Sequence, residues 1–359
     1  MVRLGAMGDI LHALPAVTAL RQTHPEWVID WVVEPRWRAL LATESSTGRG
    51  PEQPLVDQLH LASSKAWRKA PLSLKTLHEI RVLRSALRAG DYDAVLDLQG
   101  AIRSAVVGRM AGCHRLIGEQ EPREGPALWL FTERVATRGA HVIEQDVELA
   151  AAVAGDDLGP VQPWLPADLA AEAWAEELLP DDAAQPGPPR TGPRPWGGNQ
   201  PAVLINPGAG WGAKRWPAER YAVVAKGLID RGMRVLVNAG PGEELLANAV
   251  VEGTAGAATS LTCSLAQLIA LTRRIALCIA GDTGPLHLAC ALGRPVVGIY
   301  GPTDPSRNGP FGTRFKVLRS PESRRDHTRR ADPEAGLLTI QPEDVLRAAD
   351  ELLTEENSR

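Results

Sequence analysis

Cysteine is scarce and unpatterned in this chain. Cys113, Cys263, Cys278 and Cys290 are its only four in 359 residues. They form no C-x-x-C pair and have no His at metal-ligand intervals, which excludes a disulfide framework and a structural zinc and fits reduced, mostly buried thiols of a cytosolic protein. Net positive charge is absent as well. At a formal charge of −4 the chain is no general nucleic-acid binder, and any basic patch has to be local. No run approaches the roughly 18 apolar residues of a membrane span. Leu4 to Leu20, after Arg3, carries Asp9 and His12 inside its apolar part, so it reads as folded structure and not as a targeting segment. G-x-G-x-x-G with a ribose-binding acid and G-K-[ST] are both missing, which weakens a dinucleotide or P-loop assignment. Asp-Thr-Gly occurs once, in an αβ setting, whereas an aspartic protease needs two facing copies in a β-rich fold.

The length is that of about two domains, each large enough to bury its own core. The pattern alternates short apolar runs with helical periods. Met1–Leu4 predicts the end of a first strand, Gly5–Asp9 a turn and Ile10–Arg21 a helix. A central parallel strand usually runs about five or six residues, so the chain either starts upstream of Met1 or the sheet is thin there. Strands are expected at 27–33, 55–61, 93–99 and 114–118, with helices over 35–41, the 74–88 region, 102–110 and 141–154. Pro and Gly crowd the stretch from about 156 to 200, predicting a linker with one helix near 167–179. A second half follows: strand 202–206, helix 218–231, strand 234–238, strand 275–280, a helix from about Pro285, strand 296–300 and a closing helix from Gln341 to about Leu353.

Several local patterns carry chemistry. Gly281-Asp282-Thr283-Gly284 joins a strand to a helix, so free N–H groups and the positive helix end point at whatever occupies the crevice; a phosphate or diphosphate suits that place. His287 lies in the same opening turn. The loop Pro207-Gly208-Ala209-Gly210-Trp211-Gly212-Ala213-Lys214 permits close backbone approach and brings a mobile cation just before a helix. Glu243 stands at another strand end, placed either to accept from ribose hydroxyls or to cap its own helix. Arg103 follows a strand end on the ligand side of an open sheet. Lys65-Ala66-Trp67-Arg68-Lys69 reads as a loop with a Trp among cations, suited to a polyanionic partner or a headgroup surface, against the plainer alternative of a solvated face.

Arg3-Leu4-Gly5-Ala6-Met7-Gly8-Asp9-Ile10-Leu11-His12, Tyr92 to Gly100, Lys214-Arg215-Trp216-Pro217, Gly281-Asp282-Thr283-Gly284 with His287, and Gly301-Pro302-Thr303-Asp304-Pro305 with Arg307-Asn308-Gly309-Pro310 together resemble the lipopolysaccharide ADP-heptose heptosyltransferases, closest to the heptosyltransferase I branch. The resemblance runs in order over nearly the whole chain outside the linker. It implies an α/β GT-B fold: two Rossmann-like domains facing across a cleft, joined by a Pro-rich linker. The expected divisions are 1–160 for the acceptor domain, 161–200 for the linker, 201–340 for the nucleotide-sugar domain and 341–359 for a closing helix that can pack back on the N-terminal domain. The linker is longer and more Pro-rich than the family's.

The resemblance further implies inverting, metal-independent transfer of heptose from ADP-heptose to a Kdo hydroxyl of Kdo-lipid A, with no cofactor, at the cytoplasmic face of an inner membrane. Carried over by motif, Asp9 is the catalytic base and Lys214 the lysine on the donor phosphates. Asp282, Thr283, Gly284 and His287 form the donor loop, Glu243 is the ribose acid, and Cys263 stands where the backbone meets adenine. Lys65, Arg68, Lys69, Arg103 and Arg123 fall where the family meets its anionic acceptor. The residue chemistry agrees: an inverting displacement needs a base on the acceptor side and charge stabilisation on the departing side, and a carboxylate at a helix N-terminus is favoured in its anionic form. The alternatives are a heptosyltransferase II or a relative using another nucleotide sugar, and, from another class, a nucleotide-sugar epimerase or a non-catalytic nucleotide-binding protein.

Overall fold

The structure, a computed structural model, describes residues 1–180, 200–324 and 331–356. The Pro-rich 183–201 stretch lies almost wholly outside the described residues. The chain divides into two units, Met1–Ala167 and Asp168–Arg359.

In the first unit the strands are β1 (Asp30–Val33), β2 (Gln58–Leu61), β3 (Val95–Asp97), β4 (Leu116–Glu119) and β5 (Glu133–Val135). Its helices are α1 (Met7–Thr23), α2 (Ser64–Lys69), α3 (Leu74–Ala89), α4 (Ile102–Met110) and α5 (Val142–Ala154). All strand pairs are parallel: β1 with β2, β3 with β4, β4 with β5. The expected first strand shrinks to Val2, which bridges Val32 of β1 and Asp97 of β3. Its amide donates to Leu96 O at 2.8 Å, and Val32 N donates to Met1 O at 2.9 Å. The spatial order is therefore β2, β1, Val2, β3, β4, β5. Strand order reverses at Val2, so ligand-facing residues belong at the carboxyl ends on either side of it.

α1 is buried on nearly every side, from Ile10 and Leu11 through Leu14 and Val17 to Leu20, and packs against α5. A helix apolar all round is a core helix, and here it fixes the turn that precedes it. Residues 65–69, expected as a loop, form α2. Glu34 holds its start, accepting from Ser64 Oγ at 2.5 Å and Lys65 N at 3.1 Å. Trp67, expected to stand among the cations as a contact residue, is instead buried, and its Nε1 donates to Glu79 Oε2 of α3 at 2.7 Å. The indole thus clamps α2 to α3 and leaves the cations to face water.

The second unit has β6 (Ala202–Asn206), β7 (Arg234–Asn238), β8 (Thr259–Leu261), β9 (Leu277–Gly281), β10 (Val296–Tyr300) and β11 (Phe315–Arg319), all parallel, in the order β11-β10-β9-β6-β7-β8. The reversal here falls between β6 and β9. Both are buried along their whole length, as expected of parallel strands covered on two faces. The helices are α6 (Leu169–Leu178), α7 (Ala218–Asp230), α8 (Glu244–Gly253), α9 (Leu265–Thr272), α10 (Gly284–Ala291), α11 (Pro305–Asn308) and α12 (Pro342–Glu356). Truncating a fully buried core side chain such as Leu204 to Ala would cost about 2–5 kcal/mol.

The span expected as linker is engaged at both of its described ends. Trp164 N donates to Thr18 Oγ1 at 3.3 Å and Ala167 N to Pro51 O at 3.0 Å, inside the first unit. α6 packs on α9 in the second, with Glu172 paired to Arg273 and Glu176 to Arg274. The closing helix α12 packs on α7 and on β9, β10 and β11, burying Val345, Ala349, Leu352 and Leu353. No helix among the described residues is long and apolar enough to cross a membrane.

Candidate active site

In each unit the sequence-predicted residues gather at the carboxyl edge of the sheet. In the second unit that edge presents, strand by strand, the 282–287 turn after β9, the Lys214 loop after β6, Glu243 after β7 and Cys263 after β8.

Lys214 ends a single 3-10 turn, Gly212–Lys214, and its ammonium meets Asp282 Oδ2 in an ion pair. The other oxygen of Asp282 lies 3.1 Å from His287 Nε2. Burial alone would raise the Asp282 pKa, but His287 and the Lys214 charge hold it well below the usual carboxylate range. Thr283 caps α10 through extended backbone without a side-chain cap, its hydroxyl donating to Gly281 O at 3.2 Å. The Thr283 and Gly284 amides stand at the start of α10, the end of the helix that favours an anion. Lys214, Asp282 and His287 thus meet at the start of α10.

In the sequence Trp211 is one residue of the Gly-rich loop, with no role of its own. The centre of its ring lies 4.3 Å from Lys214 Nζ, so the indole face and the Asp282 carboxylate both hold the ammonium. An aromatic three residues before a lysine was the available signal, and the short 3-10 turn is what makes the two meet.

The loop glycines serve partly internal packing. A Cβ on Gly208 would sit 1.9 Å from Glu243 Oε2, and one on Gly212 would sit 1.5 Å from Ala331 O. Glu243 occupies the N-cap position of α8 without a side-chain cap. Its carboxylate turns back instead to Gly240 N at 3.2 Å, against the loop after β6. Burial raises its pKa. Cys263 is half-buried in the turn between β8 and α9, and burial pushes its thiol up to about 11, so it offers backbone and bulk, not a nucleophile. Beneath this edge Asn238 Nδ2 donates to Asn206 Oδ1 at 2.7 Å, tying the ends of β6 and β7 together.

In the first unit Asp9 is the third residue of α1, and its Oδ2 accepts from Ala6 N at 3.0 Å. The carboxylate also faces Arg3 at 3.9 Å and Arg123 at 3.7 Å, with 34% of its side chain exposed. Arg3 is buried and reaches Asp146 of α5 at 4.0 Å, so α5 holds the cation that holds Asp9. Below them Asp97 Oδ1 accepts from Gln99 N at 2.8 Å and Gly100 N at 3.0 Å, and Gln99 Oε1 accepts from Leu4 N at 2.8 Å. That chain of bonds fixes the backbone leading into the Asp9 turn. Burial pushes Asp97 up to about 6. Arg3, Asp97 and Gln99 all stood in the motifs without an assigned role, because nothing local shows that the 97–100 turn braces residue 4.

The cations group unevenly. Arg123 joins Asp9. Lys65, although exposed, has its pKa lowered, first by partial desolvation and then by Arg36, with Glu34 opposing and Arg103 and Arg68 adding to the shift, so these four cations share one field with Glu34. Arg36, its guanidinium 4.4 Å over the Trp37 ring, was missed by the sequence. Lys69 is exposed at the end of α2. The N-terminus of α4, next to Arg103, is already taken: Ile102 N donates to Glu124 Oε2 at 2.9 Å.

Residues 80–337 match the family model of glycosyltransferase family 9 (heptosyltransferase). The chain is similar to lipopolysaccharide heptosyltransferase 1 of Escherichia coli strain K12, 32% identical over 332 residues that cover 89% of this chain and 93% of that one. Among solved structures it is similar to E. coli heptosyltransferase WaaC with ADP, with a TM-score of 0.77, 27% identity and 98% of each chain covered. The same enzyme with ADP-2-deoxy-2-fluoro heptose gives a TM-score of 0.75 at 27% identity over 98% of each chain.

Proposed function

The chain belongs to glycosyltransferase family 9, the heptosyltransferases, and from that premise we propose that it moves L-glycero-D-manno-heptose from ADP-heptose onto a Kdo hydroxyl of Kdo-lipid A, with inversion. Relatives named lipopolysaccharide heptosyltransferase 1, and a heptosyltransferase solved with ADP and with ADP-2-deoxy-2-fluoro heptose, support heptose transfer from ADP-heptose in lipopolysaccharide inner-core synthesis by this GT-B chain. The Kdo acceptor and the peripheral position at the cytoplasmic face of an inner membrane are the finer part of the proposal.

The observation that carries it is the constellation of Lys214, Asp282 and His287 at the start of α10. As the bond from the sugar carbon to the diphosphate breaks, negative charge grows on ADP. Lys214 and the Thr283 and Gly284 amides meet it with charge and dipoles already in place, so little reorganisation is needed at the moment of reaction. Glu243 takes the ribose hydroxyls and the Cys263 backbone borders the adenine. On the acceptor side Asp9 removes the proton of the attacking hydroxyl, with Arg3 and Arg123 fixing the direction of its oxygens. Lys65, Arg68, Lys69 and Arg103, with Arg36, bind the acceptor's anionic groups.

Donor competition tests this directly. ADP-heptose, UDP-sugars and GDP-sugars are offered to the purified protein with a Kdo-bearing acceptor, and the product mass is read. The expected product is the acceptor plus one heptose, from ADP-heptose alone. Equal or preferred use of a UDP- or GDP-sugar would overturn the donor assignment.

A further inference from the structure

The hairpin of α2 and α3 carries a feature that catalysis does not use. At its apex Leu72 and Leu74 are 86% and 87% exposed, far beyond what a side chain of that size shows when it serves a core. Ser73 between them caps α3, accepting from Thr76 N at 3.1 Å, and the Trp67–Glu79 bond fastens the two helices below. The two leucines are thus held out on a braced turn. Along α3 the exposed apolar surface continues through Leu77 and Val82.

The charge around them is one-sided. Between residues 64 and 89 the sequence has Lys65, Arg68, Lys69, Lys75, Arg81, Arg84 and Arg88 against the single acid Glu79, in a chain of net charge −4. All seven cations are exposed, while Glu79 is engaged by Trp67 and by Lys75 at 3.9 Å. Two copies of this face would repel each other. An anionic surface with an apolar layer beneath it matches both properties at once, cations to the headgroups and leucines below them.

We propose that the α2–α3 hairpin is the membrane-docking element, with Leu72 and Leu74 entering an anionic bilayer and Lys75, Arg81 and Arg84 resting on its headgroups. This deepens the preceding assignment of a lipid-embedded acceptor and rests on it for its purpose. The surface itself is testable apart from turnover.

Co-sedimentation with mixed phosphatidylethanolamine–phosphatidylglycerol vesicles, without acceptor, is compared with pure phosphatidylcholine vesicles. The wild-type chain is expected to partition onto the anionic vesicles only. Leu72→Ser/Leu74→Ser should lower that partition by about ten-fold or more, Lys75→Glu by several-fold. Because these side chains are exposed, both variants should keep wild-type rates on a deacylated, water-soluble acceptor. Partition of the leucine variant equal to wild type would overturn the proposal. So would wild-type binding that appears only when the vesicles contain acceptor, since the contact would then be with acceptor phosphates. If the wild type partitions as expected yet transfers no heptose, the docking surface stands and the assigned reaction falls.

Discussion

Lys214 is bound to Asp282 in an ion pair in which the two side chains are only 11% and 10% exposed. His287 holds the other carboxylate oxygen, so a buried anion lies between two groups that can each carry positive charge. The arrangement fixes where the ammonium points, and it makes Lys214 a structural group as well as a ligand for phosphate.

These two roles separate by mutation. Lys214→Ala leaves a buried carboxylate without its main counter-charge and should destabilise the chain by about 3–5 kcal/mol. Lys214→Ala/Asp282→Asn should recover most of that stability in urea unfolding while leaving ADP affinity low by calorimetric titration. Wild-type ADP affinity in the double variant would refute the phosphate role.

Trp211 holds Lys214 through its ring face. Trp211→Leu should weaken ADP binding by about five- to twenty-fold, and Trp211→Phe by no more than about three-fold. Equal losses in both would mean that bulk alone matters there.

Gly208 admits Glu243. A methyl group at 208 would fall 1.9 Å from Glu243 Oε2, so Gly208→Ala should push the carboxylate off Gly240 N and lower ADP affinity by about ten-fold. If Glu243 touches ribose, Glu243→Gln should show a comparable loss against ADP but not against inorganic diphosphate. Identical losses against both ligands would count against ribose contact.

Asp97 makes stability depend on pH. Its folded pKa is raised from 3.8 to about 6 by burial, so between those values the folded chain holds a proton that the unfolded chain has lost. Stability from this group is then present below about pH 4 and lost as pH rises to about 6, by about 3 kcal/mol in all. The unfolding free energies of wild type and Asp97→Asn, taken from pH 3.5 to 7.5 in steps, isolate it. Their difference should change with pH across that window and flatten above it; a constant difference would contradict the shift.

Much of the fold is legible in the sequence. Helix α4 and strands β6, β7 and β10 fall at the expected bounds because each is a short segment set off by Gly, Pro or polar stops. The 282–284 turn was readable for the same reason, since strand, Asp-Thr-Gly and helix follow one another without a break. β5 and β8 were not, being three-residue edge strands without apolar alternation, Glu133-Arg134-Val135 and Thr259-Ser260-Leu261. α2 is not legible in the sequence, because the lysines and arginines around Trp67 suggest a wet loop. The indole is buried in the apolar cluster with Ala62, Leu83 and Leu87, and Glu79, twelve residues on, accepts from its Nε1. Likewise the brace from Asp97 and Gln99 to Leu4 spans 95 residues, a distance over which spacing carries no information.

The most direct measurement is acceptor-dependent ADP release from ADP-heptose by wild type and Asp9→Ala, with ADP-heptose affinity measured alongside. The expected result is release that requires a Kdo-bearing acceptor and falls by about 10² or more in the variant while donor affinity stays within a few-fold. Wild-type turnover in Asp9→Ala, or release at the same rate without acceptor, would contradict the assignment of Asp9 as the base.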